Sequence, residues 1–142
     1  MGTCMELEMT LLRYAGASVI FAIFIVSYFM LMHARRASGL WRRCAIILLT
    51  YTACVGLAIA GATAVSWYIE WRIASYNPKE PWWMNSTVPP GYEYLLDMWI
   101  RDTGRAMVFI TAPVFTPPVM LSVYIFIVLQ GWFCKLINRT YK

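Results

Sequence analysis

The sequence predicts an all-α integral membrane protein with three transmembrane helices plus an interfacial amphipathic helix, the third span broken or kinked at prolines. Three observations predict it. Of 142 residues, 61% are hydrophobic and 13% charged, where a soluble domain carries about 25% charge. Three apolar runs are each long enough to cross a bilayer, because about 20 residues at a rise of 1.5 Å span its ~30 Å core. The charges gather at the ends of those runs. So little polar surface cannot cover a water-soluble globule. The net charge of +5 therefore reads as membrane-orienting, and no nucleic-acid partner is expected. A single membrane domain covers residues 1–142, with spans at about 14–33, 44–70 and 106–135 and an outer loop at 71–105.

The head, MGTCMELEMTLLR, carries Glu6, Glu8 and Arg13 and can add turns to the first helix. Glu6 stands where a myristoylation signal has Ser or Thr. The first apolar run is too long, and too closely followed by arginines, for a cleavable leader. The first span, Tyr14–Met32, has a small outer half (Ala15, Gly16, Ala17, Ser18, Ala22) and a bulky inner half, Phe24–Phe29.

HARRASGLWRR is a tight connection with Gly39 to turn and Trp41 to anchor at the headgroups. Its four arginines place it on the side from which the protein is inserted. A cluster of guanidinium groups also suits an anionic lipid headgroup, so Arg35, Arg36, Arg42 and Arg43 are candidate lipid-binding residues. His33, the only histidine, nominates no haem or metal site by itself.

The second span is organised around TACVGLAIAGATAVS, Thr52–Ser66. Small residues recur every fourth position on two ridges, Thr52, Gly56, Ala60, Ala64 and Cys54, Ala58, Ala62, Ser66. Each ridge lies on one helix face and lets another backbone approach closely. Gly56, Ala60, Gly61 and Ala64 are the candidate helix-packing residues. In an antiparallel hairpin the small half of the first span meets Ala60–Ser66, while Phe24–Phe29 hold the inner halves apart. A ridge unused within the chain is free for a partner. Trp67, Tyr68 and Trp71 form an aromatic girdle at the outer boundary.

Beyond it, SYNPKEPWWMNSTVPPGY contains four prolines and reads as an extended strap, laid on the membrane by Trp82 and Trp83. Asn85-Ser86-Thr87 is a glycosylation sequon, lumenal if the chain enters the secretory pathway. In GYEYLLDMWIRDTGR, Tyr92, Leu95, Leu96 and Trp99 form one stripe and Glu93, Asp97 and Arg101 another, the pattern of an interfacial helix.

The third run, Ala106–Cys134, holds Pro113, Pro117 and Pro118. A proline inside a helix costs about 3 kcal/mol, whereas at a helix start it is nearly free. The run is therefore expected to divide at Thr111–Thr116, with Thr116 as cap and Pro117–Cys134 as the span proper. The tail, KLINRTYK, has three basic residues and no acid. It lies with the arginine loop, so the N-terminus is outside and the C-terminus inside.

Catalysis within a membrane needs ionisable or metal-binding groups placed there. The apolar runs Tyr14–Met32, Cys44–Ile69 and Ala106–Cys134 hold no Asp, Glu, Lys, Arg or His, and no zinc-protease, nucleophile-elbow or phosphate-loop motif occurs. Cys4, Cys44, Cys54 and Cys134 lack metal-type spacing. Neither catalytic, cofactor nor metal residues are expected, and the chain is not expected to be an enzyme. It is expected to be a structural or accessory subunit of a multisubunit membrane complex, with other membrane subunits and lipids, anionic ones included, as partners. A bioenergetic complex (respiratory chain, ATP synthase or photosynthetic) is preferred on analogy, because such assemblies hold many small non-catalytic spans; this favours the mitochondrial inner membrane. The alternative is a regulatory auxiliary subunit of a channel, transporter or secretory-pathway enzyme.

Overall fold

The computed structural model of the protein describes residues 2–79, 88, 91–93 and 104–140, with side chains for 7–79, 88, 91–93 and 106–137. Among the described residues the fold has three long helices: α1, Gly2–Arg36; α2, Leu40–Tyr76; and α3, Gly104–Thr140. All three are long and apolar enough to span a membrane, and no strand occurs among the described residues. The protein is thus all-helical and of the integral membrane type. The strap tryptophans Trp82 and Trp83, the Asn85 sequon and the stripe Leu95, Leu96 and Trp99 lie outside the described residues.

α1 incorporates the head and runs without interruption into the arginine loop. Nothing in it stops a helix until Ala37, whose N–H bonds back to His33 O at 3.1 Å and Ala34 O at 3.2 Å. Gly39 then reverses the chain with φ 94°, a conformation that costs a residue without Cβ little. A turn this short makes α1 and α2 an antiparallel hairpin, and they share the most extensive packing in the fold.

The hairpin's register is read from three pairs. Glu8 meets Arg72, Val19 meets Gly61 and Ser27 meets Cys54. Eleven residues along α1 are answered by eleven back along α2, close to three full turns, so the same faces stay in contact. On α2 the inward face carries Thr50, Cys54, Ser66, Ile69 and Ile73, all buried. The ridge containing Cys54 and Ser66 therefore packs within the chain, and the ridge Thr52, Gly56, Ala60, Ala64 is exposed. Phe24, Ile25 and Phe29 are also exposed. Because they point away from α2, they do not hold the inner halves apart as expected. Ser27 and Cys54 meet there instead, Oγ to Sγ at 3.2 Å, both fully buried.

α3 corrects the expectation of a break. It is one helix of 37 residues with Pro113, Pro117 and Pro118 inside it. Thr116 is no cap: it is buried, and its hydroxyl donates to Ala112 O at 2.6 Å within the helix. The missing N–H of Pro117 leaves Pro113 O without its helical donor. The Tyr51 hydroxyl, from α2, donates to that oxygen at 3.4 Å.

Two small cores result. At the inner half, Leu31, Met120, Val123 and Ile127 join α1 to α3, with Tyr28, Met32 and Tyr51 against them. At the outer half, Ile69, Ile73 and Tyr92 cluster with Met9, Leu12, Val65 and Val88.

Candidate functional site

At the inner end, α1 and α3 part to form a cleft of 460 Å³. From α1 come Tyr28, Met32, Arg35 and Arg36, spaced so that successive turns present them on one side. From α3 come Ile127, Gln130, Gly131 and Cys134, again at helical spacing. The Tyr28 hydroxyl donates to Gln130 Oε1 at 2.9 Å and ties the two walls together. Arg35 Nη1 donates to Ile127 O at 3.1 Å, which aims the guanidinium into the cleft. Gly131 keeps the opposite wall low: a Cβ there would already stand 3.8 Å from Arg35 Nη1.

The loop arginines are thus divided. Arg35 and Arg36 line the cleft. Arg43 turns the other way, its Nε donating to Ala37 O at 2.9 Å, where it steadies the turn. Arg42 is exposed and is not part of the cleft lining. Sequence spacing singled out the cluster, but it carried no signal for Tyr28 or Gly131, which packing between helices remote in the chain brings to it.

The outer end holds a second polar cluster. Glu8 of α1 accepts Arg72 Nε at 2.9 Å, the Tyr68 hydroxyl at 2.7 Å and the Tyr92 hydroxyl at 2.9 Å, all on Oε1. Tyr68 and Arg72 are one turn apart on α2, so both reach the same carboxylate. Tyr92 is fully buried and fastens the start of the segment after Gly91, itself at φ 87°. Burial, and then the hydrogen bond to Glu8, push the Tyr92 phenol above the ordinary tyrosine range, so it remains a donor at neutral pH. This cluster was not foreseen. The signal for it is the hairpin register, which sets Glu8 opposite Arg72 once Gly39 is taken as the turn.

Of the candidate packing residues, Gly61 makes the close approach to α1, with Val19 against it. Ala64 lines a shallow groove beside Leu11, Ala15 and Tyr68. Gly56 and Ala60 face outward, and nothing lies within 4 Å of a Cβ placed at Gly56. Among the described residues no three His, Cys, Asp or Glu side chains come together. No family model matches this chain, and no curated protein or solved structure is similar enough to match.

Proposed function

We propose that this chain is a non-catalytic structural subunit of a larger membrane complex, of the bioenergetic type and in the mitochondrial inner membrane. The observation that carries this reading is the exposed ridge Thr52, Gly56, Ala60, Ala64 on α2. In lipid there is no hydrophobic gain from burying one apolar face over another. Association rests on close backbone approach, which small residues permit and bulky ones prevent. The ridge turned inward already serves the hairpin; its counterpart offers the same surface to a second protein. The absence of Asp, Glu, Lys, Arg and His from the apolar runs Tyr14–Met32, Cys44–Ile69 and Ala106–Cys134 supports the non-catalytic part of the reading. The organelle rests on analogy with small spans of respiratory complexes.

The test is purification from the native source in mild detergent, with identification of what co-migrates. The expected result is a stoichiometric parent complex whose amount or cohesion falls when the chain is deleted. Migration alone, with every complex intact after deletion, overturns the reading, as does substrate turnover by the purified chain. A glycan on Asn85 would move the assignment to the secretory-pathway alternative.

A further inference from the structure

We propose that the inner cleft between α1 and α3 binds one anionic phospholipid, its phosphate held by Arg35 and Arg36 and its acyl chain lying along the groove that continues toward the midplane. The proposal does not depend on the subunit reading.

Three observations converge on it. The first is charge without compensation. No Asp or Glu occurs between residues 9 and 69 or after 102, so the basic cluster has no acid of its own chain on its side of the membrane. Among the described residues Arg35 makes one hydrogen bond, to a backbone oxygen. A guanidinium has five N–H donors in a planar fork suited to a phosphate, and the rest remain available. The second is a built wall. Tyr28 bonded to Gln130 fixes the amide so that its NH₂ is free to donate, and Gly131 leaves the room that an anion needs. The third is shape. A second cavity of 420 Å³, lined by Phe24, Ile25, Tyr28, Ser122, Val123 and Phe126, lies on the same α1–α3 seam and shares Tyr28 with the cleft. From Phe24 to Arg36 is about 18 Å along α1, comparable with the ~15 Å of one leaflet's hydrocarbon. A cationic head site with an apolar hollow beside it on the same seam, the two together covering about that length, suits a phospholipid and not a free phosphate ion.

Arg42 and Arg43 supply the internal control, because they carry the same charge on the same loop but stay outside the cleft. The experiment uses the full chain in phosphatidylcholine nanodiscs doped with a minority of phosphatidylglycerol. Bound lipid is read by native mass spectrometry after release from the disc. Wild type is expected to retain phosphatidylglycerol well above its share of the bilayer. Arg35→Gln with Arg36→Gln should lower that retention by roughly tenfold, since each cation near the surface contributes severalfold. Arg42→Gln with Arg43→Gln should change it by less than about twofold. Gly131→Leu fills the cleft, leaves every charge in place and favours helix, so it keeps the test independent of folding; it too should expel the lipid. Excess inorganic phosphate should displace nothing. Equal losses from the two arginine pairs, retention unaffected by Gly131→Leu, or displacement by inorganic phosphate would each overturn the site.

Discussion

Gly61 has no Cβ, and one placed there would lie 2.7 Å from Val19 Cγ2 and 2.9 Å from Cγ1. Val19 is β-branched and held in a helix, where one rotamer dominates, so it cannot swing aside cheaply. The hairpin must instead open to admit a side chain. Gly61→Leu is therefore expected to destabilise the folded chain by about 1–3 kcal/mol, the usual cost of overpacking. Gly56→Leu, five residues away and on the outward ridge, places its Cβ where nothing lies within 4 Å. It should leave the isolated chain within about 0.5 kcal/mol of wild type while lowering recovery of the parent complex. Unfolding of the purified chain in mixed micelles measures the first effect, and co-purification the second. Equal tolerance of both substitutions would mean that Gly61 is not the point of closest approach.

α3 shows how solvent changes the arithmetic of a helix. In water, a break at three prolines is repaired by hydrogen bonds to solvent, and about 3 kcal/mol per proline favours breaking. In hydrocarbon a break strands further N–H and C=O groups at several kcal/mol each, so an unbroken helix with a few missing bonds is the cheaper state. What remains is to satisfy the freed carbonyls, and Tyr51 does so at Pro113 O. Tyr51→Phe should cost about 0.5–1.5 kcal/mol in wild type. In a Pro117→Ala background the restored N–H replaces the tyrosine, and the same substitution should be nearly neutral. A double-mutant cycle on equilibrium unfolding reads the coupling; additive effects would mean that the Tyr51 contact satisfies nothing. The expected division at Thr111–Thr116 failed because propensities measured in water were applied to lipid, whereas the three long helices were legible, since length and hydropathy alone specify them. The periodicity of Thr52–Ser66 identified two small ridges but could not choose between them. That choice lies in the hairpin register, set by Gly39 and by Glu8 against Arg72, which local spacing does not carry.

Across the whole molecule, the polar ends of the hairpin are set apart by the thickness of a membrane. Glu8 to Arg36 is about 42 Å along α1, and Arg43 to Arg72 about 43 Å along α2. The hydrocarbon core with its headgroup layers is about 40–45 Å. Inside the exposed Arg13, which sits about 8 Å along α1 from Glu8, the exposed surface is mainly apolar, with Phe21, Phe24, Phe29 and Leu48 turned outward, as lipid contact demands. The two ends are electrically unlike. All seven acids fall in the head, at the α2 exit or in the outer segment, and Glu8 there is already paired with Arg72. Arg35, Arg36, Arg42, Arg43 and Lys135 fall at the other end, in short flanking segments where basic residues decide orientation. The arginine loop and the C-terminus should therefore face the compartment of insertion, and residues 80–90 the opposite one. Single cysteines engineered at 36–40 and at 80–90, labelled in sealed vesicles with a membrane-impermeant thiol reagent, should react from opposite sides. Cys44 and Cys134 are exposed near the inner end and must first be replaced, along with Cys4. Labelling of both sets from one side would overturn the three-span topology. Opposite labelling with the arginine loop outside would keep the three spans and reverse the orientation, placing the Arg35–Arg36 cleft in the other leaflet.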